Sequence, residues 1–320
     1  MSRVLVTGAG GFVGSVLCPL LESAGYLVRA AVRTDRPMTA GVSEQAVVGE
    51  IGAHTDWTVA LPGVDLVIHL AAQVHIMRAA AEAAAGYMEA NARGTERLAH
   101  EAARYRVKRF IYLSSVKVYG EGAAQRAYTA NDVPHPQDPY GVSKWQGERL
   151  LLQSASGTGM QCAVVRPPLV YGPGVQANFL RLLRWIDAER LLPLGAIHNR
   201  RSLSSVWTLC DLLIRLLDHP AAANRIWMVS DGEDLSTPDL VRRIASAMGR
   251  RARLLSVPPA LLRLGGALTG KGADIRRLCD SLTVDITETR AQLGWSPPLS
   301  LDEALTRTVN WYRTRGRAFP

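Results

Sequence analysis

Val4-Leu5-Val6-Thr7-Gly8-Ala9-Gly10-Gly11-Phe12-Val13-Gly14-Ser15-Val16-Leu17 decides how this 320-residue chain folds. The apolar run Val4 to Val6 reads as a buried strand, and Ser15 to Ala24 as a helix. Glycines at 8, 11 and 14 lie between them. Gly8 permits the tight turn, Gly11 lets the backbone approach a pyrophosphate, and Gly14 lets the helix lie close to the strand. Phe12 and Val13 open the helix, whose free N–H groups favour an anion. Such a turn alone also suits an ordinary strand-to-helix connection. The second strand, Tyr26 to Val32, makes it a βαβ unit and points to a bound dinucleotide.

Outward from this turn, strands are expected at 3–7, 26–32, 46–50, 65–71 and 109–115. Helices are expected at 12–24, 79–103 and 140–155. The alternation predicts an α/β fold, a doubly wound parallel sheet of the Rossmann type, with ligands at the carboxyl ends of its strands. The pattern changes beyond residue 170. Helices near 176–190 and 208–218 frame a loop over 191–205, and a strand at 226–230 rejoins the sheet edge. Thr237 caps a helix opened by Pro238. The expected division is a dinucleotide-binding domain over 1–172 and a smaller α/β substrate lobe over 173–320.

Composition narrows the partners. Apolar residues make up 48% and charged residues 20%, a balance for a soluble globular protein. The net charge of +9 suits an anionic ligand. Aromatics, at 6%, do not interleave with the basic residues, which argues against nucleic acid. Cys18, Cys162, Cys210 and Cys279 have no metal spacing, so no metal is expected. The chain enters its first strand without room for a signal peptide and has no 18-residue apolar run, so a cytoplasmic protein without an integral membrane segment is expected. Residues 254–282 mix apolar and basic positions, as a packed helix pair or a face toward a lipid-linked substrate.

The candidate site follows from the strand ends. Arg33 stands where an NAD site usually has an acid, and is placed to meet the 2′-phosphate of NADP, with Arg36 beside it. Glu50 and Ile51 follow the third strand, where an adenine ring would lie. Leu70, Ala71 and Ala72 end the fourth strand with side chains small enough to admit a cofactor. His69 reads as a structural histidine. Tyr140 and Lys144 share a helix face, and a lysine ammonium there is expected to lower the phenol's pKa toward working pH. Tyr-x-x-x-Lys alone is common on helices. Its place downstream of the glycine turn, with Ser115 closing the preceding strand, sets it apart.

Together with His69-Leu70-Ala71-Ala72, Asn91, Ser114-Ser115, Tyr119-Gly120, Arg166-Pro167, Tyr171-Gly172-Pro173-Gly174 and Leu293-Gly294-Trp295, these motifs resemble the extended short-chain dehydrogenase/reductase family. That family holds nucleotide-sugar epimerases, dehydratases and reductases. Within it the chain is similar to UDP-glucose 4-epimerase-like proteins and to 4-ketoreductases that form UDP-N-acetylquinovosamine. The resemblance implies Ser115, Tyr140 and Lys144 as catalytic residues, Asn91 and Pro167 on the cofactor, and Asn178 and Arg201 on the substrate diphosphate. It also implies a homodimer through the helices near 92–105 and 140–155, with Leu98, Ala102, Leu150 and Leu151 as apolar positions.

Departures from the family sharpen the expectation. Dehydratases carry Asp-Glu after the Ser/Thr, where this chain has Val116 and Lys117, which argues against water elimination. Lys117 is left between a contact to the substrate and a solvated side chain. With Arg33 in place of an acid, NADP(H) is favoured and NAD(H) remains possible. The expected activity is reduction of the 4-keto group of a UDP-linked amino sugar. The alternatives are 4-epimerisation of a UDP-sugar or lipid-diphosphate sugar with retained NAD, and a non-enzymatic cofactor sensor.

Overall fold

The computed structural model describes residues 1–35, 37–74, 80–120, 126–270 and 272–316. Seven parallel strands form the main sheet: β1 (Arg3–Thr7), β2 (Leu27–Val32), β3 (Glu44–Val47), β4 (Leu66–His69), β5 (Arg109–Leu113), β6 (Gln161–Arg166) and β9 (Arg225–Met228). Their order is β3-β2-β1-β4-β5-β6-β9, which reverses direction between β1 and β4 and opens a crevice there. The short apolar runs reflect burial on both faces. Val4 and Val6 face a core shared with Leu17, Leu21, Leu209 and Leu213. Leu5, Phe110 and Tyr112 face another core, shared with Leu98 and Leu151. Helices α1 (Gly14–Ser23) and α6 (Val206–Asp218) thus cover one face, and α3 (Gly94–Arg104) and α4 (Pro139–Ala155) cover the other.

A second, three-stranded sheet runs β10-β8-β7, made of Asp234–Leu235, Arg201–Ser205 and Leu169–Tyr171. Helices α5 (Ala177–Asp187), α7 (Thr237–Ala247) and α11 (Leu301–Thr314) pack with it around Tyr171, Leu183, Leu203, Ile244 and Leu305. The expected division at 172 is too simple. β7 precedes that point yet belongs to the small sheet, and α6 and Leu293 belong to the main core, while β9 rejoins the main sheet as expected of the strand at 226–230. Phe12 packs against both cores and joins the two lobes beside the glycine turn.

Several local expectations need correction. The third strand ends at Val47, so Glu50 and Ile51 lie beyond it. The helix expected over 79–103 is broken: α2 (Ala80–Tyr87) passes through a π-helical turn, Met88–Arg93, into α3. The loop expected over 191–205 contains β8, whose Ser202, Ser204 and Ser205 are buried and hydrogen-bonded. Ser236, rather than Thr237, caps α7, its hydroxyl accepting from the Asp239 amide; Thr237 and Pro238 are the first helical residues. The expected helix pair over 254–282 is α8 (Pro259–Leu268) packed on α9 (Gly272–Cys279), with Gly266 against Ile275 and with Leu261, Leu264 and Leu268 exposed. Arg36 lies outside the described residues.

Candidate active site

The glycines divide the work of the turn. Gly8 has φ of 71°, and a β-carbon there would come within 3.0 Å of the Ala71 amide nitrogen. This close approach fastens β1 to the end of β4, where the Thr7 hydroxyl also accepts from the Ala71 amide at 3.1 Å. A β-carbon at Gly14 would lie 2.3 Å from the Gly8 carbonyl, so any side chain there would push α1 off the turn. At Gly11, which is exposed, an added β-carbon would meet only the Gly8 carbonyl, at 3.1 Å. The turn therefore presents an open backbone cradle at the head of α1, which fits a dinucleotide diphosphate. Val13 and Leu70 pack against the core beneath it.

His69 is fully buried between Thr7 and Thr95, with Nδ1 at 2.7 Å and Nε2 at 3.1 Å from their hydroxyls. The Thr95 hydroxyl donates onward to the Asn91 carbonyl at 2.8 Å. Burial, reinforced by the charge of Lys144, pulls the imidazole down to about 3, so it stays neutral. Both ring nitrogens are engaged, and the residue ties β1, β4 and α3 together.

Asn91 occupies the π-helical turn, a feature common at functional sites. Its side chain clamps the Gln73 backbone, accepting from the amide at 2.7 Å and donating to the carbonyl at 3.0 Å, and donates to Ser143 Oγ at 3.0 Å. The Tyr112 hydroxyl donates to its carbonyl at 3.1 Å. Asn91 thus links the segment after Ala72 to the helix that carries Tyr140. Gly147 permits this approach, since a β-carbon there would lie 2.5 Å from the Asn91 carbonyl.

Helix α4 begins at Pro139 because Asp138 caps it, its carboxylate accepting from the Gly141 amide at 2.6 Å. Tyr140 is therefore in the first turn, half-buried, with its ring edge-on to Tyr87 at 5.9 Å between centroids. One turn further, Lys144 is fully buried with its ammonium 4.0 Å from the Tyr112 ring centroid. Desolvation pulls Lys144 down to about 7, against the opposing charge of Glu148. The lowered phenol expected of Tyr140 is not found. Burial, then Asp138 and Tyr87, hold it above its ordinary value. Burial of the phenol is the largest cause, and it outweighs whatever a lysine one turn away supplies.

β5 ends at Leu113 rather than at 115, and Ser115, two residues beyond, caps the short 3₁₀ turn Val116–Tyr119, its hydroxyl accepting from the Lys117 amide at 3.2 Å. The Pro167 carbonyl accepts from the Val116 amide at 2.9 Å and anchors this turn from β6. Beneath it lies a buried network that sequence reasoning did not assign. Arg166 donates twice to Glu148, at 3.0 and 2.5 Å, and once to the Tyr119 hydroxyl at 2.5 Å, while Ser114 donates to Glu148. Tyr87 and Asp138 were also unassigned, since neither occupies a strand end or a glycine turn.

The remaining candidates lie apart. Arg33 pairs with Glu50 at 3.2 Å, both well exposed beyond the ends of β2 and β3. Ile51 is packed under Gly94. Asn178 is exposed at the start of α5 and accepts from Arg181. Arg201 donates to the Arg277 and Asp280 carbonyls at 2.7 and 3.0 Å, which holds β8 against the end of α9. Of the expected dimer positions, Leu98, Ala102 and Leu151 are buried in the chain's own core and face the sheet, while Leu150 is partly exposed on α4. Among the described residues no group of three His, Cys, Asp or Glu could hold a metal ion, and no helix is long and apolar enough to cross a membrane.

A dinucleotide turn beside a Ser, Tyr and Lys set on a doubly wound parallel sheet defines the extended short-chain dehydrogenase/reductase class. The chain belongs to the NAD dependent epimerase/dehydratase family, which it matches over residues 4–230. It is 41% identical over 310 residues to a UDP-glucose 4-epimerase of Vibrio cholerae, covering 96% of this chain and 94% of the relative. It is 27% identical, over 97% of the chain and 95% of the relative, to the N-acetyl-alpha-D-glucosaminyl-diphospho-ditrans,octacis-undecaprenol 4-epimerase of Escherichia coli O157:H7. Among solved structures, MoeE5 in complex with UDP-glucuronic acid and NAD superposes with a TM-score of 0.79 at 27% identity, covering 98% of this chain and 99% of that one. The chain is thus an enzyme of a nucleotide-sugar-handling, NAD-dependent type.

Proposed function

We propose that the enzyme acts at C4 of a UDP-linked sugar and interconverts the two C4 epimers with NAD held at the Gly8–Gly14 turn. The observation that carries this reading is the placement of Tyr140 on a capped helix start, with Lys144 one turn behind, across from the turn capped by Ser115. NAD, when bound, accepts hydride from C4 and returns it. Tyr140, in its phenolate form, takes the proton of the 4-hydroxyl and gives it back, and the Ser115 hydroxyl hydrogen-bonds the same oxygen. Lys117, in place of the acid that elimination needs, supports epimerisation over dehydration. The 41% identity to a relative named UDP-glucose 4-epimerase supports the same choice.

Reduction of a 4-keto sugar by NADPH is the second reading, and Arg33 is the observation that favours it. Its partner Glu50 weighs the other way, because a carboxylate at that place repels a 2′-phosphate. Nucleotide released by denaturing the purified protein tests the two readings. NAD is expected; release of NADP(H), or a wild type that binds NADPH more tightly than NADH and loses about ten- to a hundredfold of it in Arg33→Ala, would favour reduction. On the substrate side, Asn178 and Arg201 are assigned to the diphosphate. A homodimer remains part of this proposal, through surfaces of α3 and α4 other than the buried leucines. Light scattering at micromolar concentration tests it, and a strictly monomeric mass would overturn it.

A further inference from the structure

We propose that the Lys117–Asp138 ion pair is a positioning device for Tyr140, joining the turn that carries Ser115 to the helix that carries Tyr140 and shielding the phenol from the Asp138 carboxylate. The proposal rests on the reading of Tyr140 as the proton carrier. Lys117 Nζ lies 2.6 Å from Asp138 Oδ2 and 5.8 Å from the Tyr140 ring centroid. The backbone amide of the same lysine donates to Ser115 Oγ. Its carbonyl packs against Gly141, where a β-carbon would come within 2.7 Å. One residue therefore touches the serine through its amide, the first turn of α4 through its carbonyl, and the helix cap through its ammonium.

Asp138 has two tasks that conflict. Oδ1 accepts from the Gly141 amide to cap α4, yet the carboxylate sits two residues from the phenol that has to ionise. Among the described residues, the groups set against Tyr140 are Asp138 at its own helix cap, Tyr87 from α2, Tyr112 from β5 and Lys117 from the Ser115 turn, with Lys144 one turn on along α4. Lys144 is fully buried with a weakened charge, so among the described residues Lys117 is the cation placed to offset Asp138 without disturbing the cap. Both members of the pair are partly solvated, at 31% and 23% side-chain exposure, so the pair itself adds little to global stability. Its effect is local to the phenol.

The test uses NAD-saturated full-length protein and follows the phenolate absorbance of Tyr140 as the pH difference spectrum of wild type minus Tyr140→Phe. Lys117→Met is expected to raise the Tyr140 midpoint by about one pH unit, and Asp138→Asn, which still caps a helix, to lower it by a similar amount. Lys117→Arg and the double variant Lys117→Met/Asp138→Asn should return it close to wild type, with melting temperatures little changed. In turnover assays Lys117→Met should lower kcat more than it changes KM. Midpoints that stay put in Lys117→Met and Asp138→Asn while melting temperatures fall would make the pair merely structural and overturn the proposal. The absorbance readout needs no substrate. If Tyr140→Phe left turnover intact while the midpoints moved as expected, the proton-carrier reading would fall and the electrostatic coupling would stand.

Discussion

Lys144 lies with its ammonium on the face of Tyr112, and burial has drawn it from 10.5 down to about 7. Between those values the unfolded chain binds a proton that the folded chain does not, so stability rises with pH across that window. Below pH 7 the full cost of burying the ammonium is present, on the order of 3–5 kcal/mol. Lys144→Met should therefore stabilise nucleotide-stripped protein most at pH 6, with the gain fading toward pH 10. Urea unfolding at both values checks this, and equal gains at the two would contradict it. Tyr140→Phe removes only the group that carries the proton, so turnover should fall by at least ~10²-fold while NAD affinity holds. Near-normal turnover would remove Tyr140 from the chemistry.

At the scale of elements, the glycine turn makes a prediction that separates folding from binding. Gly14→Ala puts a methyl 2.3 Å from the Gly8 carbonyl and 2.6 Å from Ala9, backbone that cannot yield without moving α1. It should cost at least about 1–3 kcal/mol in unfolding experiments. Gly11→Ala has one contact, at 3.1 Å, and should leave stability nearly unchanged while weakening NAD binding at least about tenfold. Equal stability losses in the two would contradict this division. The same turn was legible in sequence because each glycine answers a local steric demand. So were β1, β5 and α4, whose apolar runs and Asp138-Pro139 start are local signals. The π-helical turn at Met88–Arg93 was not legible, because it arises from Asn91 bonding to Gln73 and Ser143, both distant in sequence. Nor was β8, where buried serines are satisfied by Asp234 and Thr208 and so leave no apolar pattern. The lowered phenol read from Tyr-x-x-x-Lys failed for a related reason. Spacing places the lysine but does not show how deeply either group is buried.

Across the whole molecule, the two lobes meet beside the glycine turn, with Phe12 and Trp207 packed against both cores. The proposed site draws the nucleotide turn, Ser115, Tyr140 and Lys144 from the main-sheet lobe, and the proposal adds Arg201 and Asn178 from the small lobe. The interleaving of β7, α6 and β9 means that neither lobe is a simple half of the chain; the return of β9 was legible in the sequence, and the places of β7 and α6 were not. In the proposed reaction this arrangement runs oxidation and reduction at C4 as a closed cycle. It is tested most directly by proton NMR of purified enzyme with catalytic NAD and a panel of UDP-sugars, UDP-glucose and UDP-N-acetylglucosamine among them. The account predicts that one sugar and its C4 epimer equilibrate from either side, with no net change in NADH absorbance and no need for added reductant. Stoichiometric consumption of NADPH with a 4-keto sugar, and no interconversion of any epimer pair, would contradict it.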